Sequence, residues 1–163
     1  MTDPVAAAPA AEPISETAPR DAVTQAVTRG AARAMADRGC AVITEFELPN
    51  GRRADLFALA ADGEIAIVEV KSGLEDFRTD AKWPEYFDYC DRLYFAVAED
   101  FPREILPEDV GLIIADGFGG AVLRPSPVSK LAPARRRALT LRAARVAAGR
   151  LMRAKEDISS LPT

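Results

Sequence analysis

Three runs of strand-forming residues packed between turn signals constrain this chain more than anything else in it. CAVITEFEL (40–48) is followed by Pro49-Asn50-Gly51, RADLFALA (53–60) by Asp62-Gly63, and EIAIVEVK (64–71) by Ser72-Gly73. β-Branched and aromatic residues favour strands, and Asn-Gly and Asp-Gly favour tight reversals, so the segment predicts consecutive antiparallel hairpins. Later apolar runs predict further strands over 92–99 and 110–116, with a short edge strand over 120–127 ended by prolines.

Helical patterns lie around these strands. Val23, Val27, Ala31, Ala34 and Met35 recur at helical spacing within 21–38, and Gly39 supplies a stop. Residues 74–83 show no tidy period and read as a loop, or a loop merging into a helix. Pro84 suits the start of a short helix running to about Cys90. Leu139, Ala143, Val146, Ala147 and Leu151 form one apolar stripe in a helix expected over 133–154. The order of helix, hairpins, helix, strands and helix predicts an α/β domain: a mixed sheet flanked by helices, with a long basic C-terminal helix. It excludes a doubly wound nucleotide-binding fold. The organisation expected is an Ala/Pro-rich disordered tail (1–19), one domain (20–155) and a flexible end (156–163). No signal-peptide pattern or membrane-spanning apolar run occurs, which predicts a cytoplasmic protein.

The chain of 163 residues contains no histidine. Hydrolases built on imidazole and histidine-based zinc sites are thereby excluded. Cys40 and Cys90 are too few for a disulfide framework and lack metal-ligand spacing, so they read as small buried hydrophobes. Chemistry must come from carboxylates, basic groups, hydroxyls or an oxygen-binding metal. The net charge of −4 hides a division: Gly117–Lys155 carries ten Lys or Arg and no acid, leaving 11 basic and 25 acidic residues elsewhere. The basic segment either faces a polyanion or lies across acidic neighbours.

Glu69 and Lys71 share one face of their strand, roughly 7 Å apart, with Ile65 and Ile67 on the same side. If 53–60 and 64–71 form a hairpin, Asp55 comes beside them. Two carboxylates and a lysine then meet at one end of a sheet. Carboxylates hold Mg²⁺ or Mn²⁺, the ion activates water and neutralises phosphoryl charge, and a lysine stabilises the transition state. The other reading is a cross-strand ion pair on a solvated face; the apolar neighbours argue for burial, which a lone carboxylate resists.

The arrangement Arg53-Ala54-Asp55, thirteen residues, then Glu69-Val70-Lys71 resembles the PD-(D/E)xK pattern of restriction-endonuclease-like enzymes. GRRADLFAL, GEIAIVEVKSGLEDFRTDAKWPEYFDYCDRLYFAVAEDFP and PEDVGLIIAD further resemble the bacterial MmcB-type family of DNA repair endonucleases, over about Val23–Val146. The resemblance implies a restriction-endonuclease-like fold and a role in DNA repair, with Asp55, Glu69 and Lys71 catalytic and Asp55 and Glu69 holding the metal.

Glu45 shares a face with Glu47 and is a candidate third metal ligand or water-positioning residue; otherwise it is solvated, or pairs with Arg53 or Lys71. Asp76, Asp80 and Lys82 can face the site from the following loop, with Lys82 suited to a phosphate. Trp83, Tyr86 and Tyr89 either stack on bases or pack against the sheet. Arg53 either contacts phosphate or holds Asp55. Arg135, Arg136, Arg137, Arg142, Arg145, Arg150 and Arg153 supply charge for a DNA backbone, or form a helix face whose long side chains cover the sheet edge.

These readings converge on a metal-dependent DNA endonuclease. A DNA-structure-binding or partner-recruiting module on the same fold is the alternative. A phosphoesterase for small nucleotides fits less well, because a small substrate needs no extended basic surface. A homodimer or another repair protein as partner stays open.

Overall fold

The computed structural model describes residues 20–160; the expected N-terminal tail, 1–19, lies outside them. Helix α1 (Arg20–Asp37) leads into β1 (Ala41–Glu47), β2 (Arg53–Leu59) and β3 (Ile65–Lys71). A six-residue helix α2 (Leu74–Thr79) and a 3₁₀ segment (Trp83–Tyr89) precede β4 (Arg92–Val97). A short 3₁₀ turn (Arg103–Ile105), β5 (Gly111–Ala115), β6 (Gly120–Arg124) and α3 (Pro133–Ser159) complete the chain. Among the described residues, no helix is long and apolar enough to cross a membrane.

The six strands form one mixed sheet in chain order. β1, β2 and β3 are antiparallel, β3, β4 and β5 are parallel, and β6 returns antiparallel to β5. The hairpins therefore form as their turn residues dictate, with Gly51 at φ +82° and Gly63 at φ +88°. The parallel β3–β4 crossover needs a longer connection, which α2 and the 3₁₀ segment supply. Every residue of β3 is buried. A strand covered on both faces reads as an apolar run, which is why Glu69 and Lys71 stand out in it.

α1 covers one face, packing Val27, Ala31, Ala34 and Met35 against Leu56, Val68, Ala96 and Ile113. The 3₁₀ segment and α3 cover the other, where Tyr86, Cys90, Leu139 and Ala143 meet Phe57, Ile65, Ile67 and Phe95. Gly30 lets α1 lie directly on the β5–β6 turn: a Cβ there would stand 2.1 Å from the Asp116 carbonyl oxygen. Cys90 is buried as expected, Cys40 is half-buried, and both are free thiols.

The boundaries depart from expectation in three places. The segment after Gly73 coils into α2, whose start is acidic through Glu75 and Asp76. β6 stops at Arg124, because Pro125 and Pro127 cannot donate to a ladder. α3 runs to Ser159 rather than 154, so 156–159 are helical.

One buried carboxylate fixes α3 to the body. Asp91 Oδ2 accepts from the Ile65 amide at 2.8 Å, and Oδ1 from the Leu131 amide at 2.8 Å. Arg136 grips both oxygens at 2.6 Å and also donates to the Gly63 carbonyl at 2.7 Å. Burial alone would raise the Asp91 pKa, but the Arg136 guanidinium and the two amides outweigh it and hold the carboxyl below its ordinary value.

Candidate active site

The site lies where the β2–β3 ladder stops. Pairing ends at Leu56–Val68, so Asp55 and Glu69 occupy the next register position without a backbone pair. Each carboxylate takes over a hydrogen bond from the other strand: Glu69 Oε1 accepts from the Asp55 amide at 3.2 Å, and Asp55 Oδ2 from the Val70 amide at 2.8 Å. This interlock holds both side chains at one sheet end and leaves the second oxygen of each for a ligand. An open cavity of about 620 Å³ receives them, lined also by Lys71, Ser72, Asp76 and, from α1, Asp21 and Thr24.

The site is electrostatically short of positive charge. Burial raises the Asp55 pKa, and burial followed by the Asp55 charge pushes Glu69 up to about 8. Lys71 lies close by, its side chain only 5% exposed, and its Nζ donates to Asp80 Oδ2 at 2.6 Å. Burial works against the Asp80 charge, but the Lys71 ammonium and the Lys82 amide prevail and lower its pKa. Asp76 Oδ2 accepts from the Ser72 amide at 3.0 Å and hydroxyl at 3.2 Å, which ties the start of α2 to the end of β3.

The Asp55 position is irregular on its other side too. Glu45 would face Asp55 in the β1–β2 register, yet that pair alone is missing between Thr44–Leu56 and Phe46–Ala54. Glu45 adopts φ +49°, a left-handed conformation uncommon without glycine. The twist breaks alternation: Ile43 and Phe46, three residues apart, pack in the same core, as do Ala54 and Phe57. Arg150 of α3 braces the kink, donating to the Thr44 carbonyl at 2.5 Å and the Glu45 carbonyl at 3.0 Å. The Glu45 carboxylate is exposed, 3.9 Å from Arg53 Nη2, and borders a neighbouring cleft that it shares with Asp55 and Thr24. Among the described residues no three acidic, His or Cys side chains close around a single point as a metal cage would.

A family model for MmcB-like DNA repair proteins matches residues 11–158. The chain belongs to the MmcB-like family. A solved structure, the SPO1766 protein of unknown function from Silicibacter pomeroyi, is 41% identical with a TM-score of 0.80. The match covers 86% of this chain and 95% of that one. No curated protein matches the chain.

In this family member the expected nucleic-acid residues divide into separate groups. Arg53 and Lys82 are exposed, and Arg53 lies beside Glu45, its charge also acting to lower the Asp55 pKa. Trp83 takes the packing role: its ring lies 5.2 Å from Phe95 and 5.8 Å from Phe87, leaving it half-buried against the sheet. Tyr86 is buried and donates its hydroxyl to the Arg53 carbonyl at 3.1 Å. Burial, with Glu69 next, drives its phenol far above the ordinary value. Arg136 is held by its pair with Asp91 at 2.6 Å, which gives it a structural role in seating α3. Arg135 donates to the Asp88 carbonyl at 2.9 Å and lies 5.4 Å over the Tyr89 ring, while Arg137 is exposed and has no partner among the described residues.

Three residues have roles that the sequence does not assign: Asp21 and Asp80 at the site, and Asp91 away from it where α3 is anchored. Asp21 borders the cavity from α1, and its signal was an acid at the start of a helix that precedes the hairpins. Asp80 was recognised only as facing the site; its pairing with Lys71 needed the path of the α2 loop. The role of Asp91 had a faint signal, an acid placed directly before an apolar strand.

Proposed function

We propose that this MmcB-like protein is a metal-dependent DNA endonuclease acting in repair, with Asp55 and Glu69 as ligands for Mg²⁺ or Mn²⁺ and Lys71 as the transition-state residue. The observation that carries this is the interlocked carboxylate pair, buried at a broken ladder and opening onto a cavity. Two buried acids with raised pKa values are stabilised by a cation between them, and oxygen donors suit a hard divalent ion. A bound ion would supply charge neutralisation at the phosphoryl group and a more acidic water. Lys71 brings a fixed ammonium to the same cavity, where negative charge builds up during phosphodiester hydrolysis. Asp80 holds that ammonium in place. Glu45, across the neighbouring cleft, is the auxiliary acid of the reading, and its closing toward Asp55 requires the Arg53 contact to open. Exposed Arg53 and Lys82 flank the site as phosphate contacts. DNA is the partner to which the family's place in repair points.

Two observations favour a second reading: Lys71 is paired with Asp80, and among the described residues no third acid closes around Asp55 and Glu69. On that reading the fold binds DNA, or recruits a partner, without cutting. Incubating labelled single-stranded, duplex, flap and branched DNA with Mg²⁺ or Mn²⁺ separates the two. Cleavage by wild type and not by Lys71→Ala supports the endonuclease; salt-sensitive binding without cleavage supports the silent module.

A further inference from the structure

Of the ten basic residues between Gly117 and Lys155, five are bound within the chain. Arg124 bonds the Pro107 and Val110 carbonyls, Arg135 the Asp88 carbonyl, and Arg136 bonds Asp91. Arg142 bonds the Glu47 carbonyl at 2.6 Å, and Arg150 bonds Thr44 and Glu45. These contacts seat α3 along the outer edge of β1, and they use up the guanidinium groups closest to it. Arg145 and Arg153 have no hydrogen bond or ion pair among the described residues.

With Arg137 that makes three such arginines in this segment, and Arg145 and Arg153 are not scattered. They stand two turns apart on one side of α3 with Gly149 midway between them, and all three line a groove of about 380 Å³ against the edge of β1. Glycine is a poor helix-interior residue, and here it leaves the floor between two guanidinium groups bare. A methyl group at that position would stand 3.6 Å from Arg153 Nη1. The acids on the opposite wall already have basic neighbours: Glu45 lies 3.9 Å from Arg53, and Glu47 lies 3.7 Å from Arg142. The groove therefore offers unneutralised positive charge.

It is also continuous with the carboxylates. Glu45 borders both this groove and the cleft reaching Asp55, while Asp55 and Thr24 border both that cleft and the cavity holding Glu69 and Lys71. We propose that the groove between α3 and β1 seats the backbone of a DNA strand, with Arg145 and Arg153 gripping phosphates and the strand continuing over Glu45 to Asp55. This assignment rests on the endonuclease reading and specifies where its substrate lies. Contacts of this kind add affinity without reading sequence and weaken as salt displaces them.

Fluorescence anisotropy with a labelled single-stranded oligonucleotide and the matching duplex, across a salt series, tests this. The Arg145→Ala/Arg153→Ala variant removes two exposed side chains, and its far-UV circular dichroism melt verifies the fold. It should bind at least about tenfold more weakly, with the log–log salt slope shallower by about two. Arg137→Ala, also exposed but outside the groove, should bind within about twofold of wild type. Wild-type affinity in the double variant, with loss in Arg137→Ala, overturns the groove and leaves the endonuclease reading intact. Failure of the wild type to bind either oligonucleotide overturns the groove, and failure to bind flap and branched DNA as well overturns both.

Discussion

Replacing Asp91 with Asn should loosen α3 from a body that otherwise stays folded. The carboxylate is 1% exposed and receives four hydrogen bonds, two from amides and two from Arg136. An asparagine has one acceptor oxygen, so its NH₂ group must face a donor, and Arg136 loses its counter-charge. Removing one partner of a buried ion pair costs about 3–5 kcal/mol. Arg136 is itself 28% exposed, so water recovers part of its charge, and the lower end, about 3 kcal/mol, is expected. Urea unfolding followed by circular dichroism and by fluorescence of Trp83, the sole tryptophan, measures this. Arg136→Ala, which leaves the more deeply buried charge without its partner, should cost at least as much, and the double variant should fall well short of the sum of the two. Amide exchange should rise first in the α3 segment around Arg136–Ala143. A loss below about 1 kcal/mol in Asp91→Asn, or additive single variants, would refute the view that this carboxylate anchors the helix.

The same carboxyl predicts an acid limit. Its pKa is lowered by folding, so its contribution is complete above its unfolded value and is lost as pH falls through the folded one. The urea midpoint of wild type should drop below about pH 4 more steeply than that of Asp91→Asn. Glu45→Gly should leave stability unchanged or raise it by up to about 1 kcal/mol, since glycine takes φ +49° without strain; Thr44→Gly, in ordinary strand, should lower it by about 1 kcal/mol. Thermal melts of the pair decide this, and a clear loss in Glu45→Gly would contradict the strain. Gly30→Ala should cost about 1–3 kcal/mol, because its methyl meets the backbone oxygens of Asp116 and Gly119 at 2.1 and 2.4 Å; a wild-type melt would mean that α1 is free to shift.

What was legible followed from periodicity and turn chemistry. The hairpin strands form within a residue or two of their expected limits because Asn50-Gly51 and Asp62-Gly63 specify the reversals. Asp55 meets Glu69 because an antiparallel hairpin leaves no other place for them. The kink at Glu45 was illegible, since nothing in Ile43-Thr44-Glu45-Phe46 signals a left-handed residue; the brace comes from Arg150, more than a hundred residues later. The arginines of α3 look equivalent in sequence, yet they divide into anchors and free charges according to which carbonyls and carboxylates the body presents beside each one. Trp83 was undecided for the same reason: an aromatic beside a candidate site packs or stacks according to the tertiary space beside it.

The central claim is that Asp55 and Glu69 form a divalent-cation site. Calorimetric titration of Mn²⁺ into wild type, Asp55→Asn and Lys71→Ala tests it most directly. The account predicts saturable binding by wild type, its loss in Asp55→Asn and its retention in Lys71→Ala. Absence of binding in wild type, or equal binding by Asp55→Asn, would contradict it.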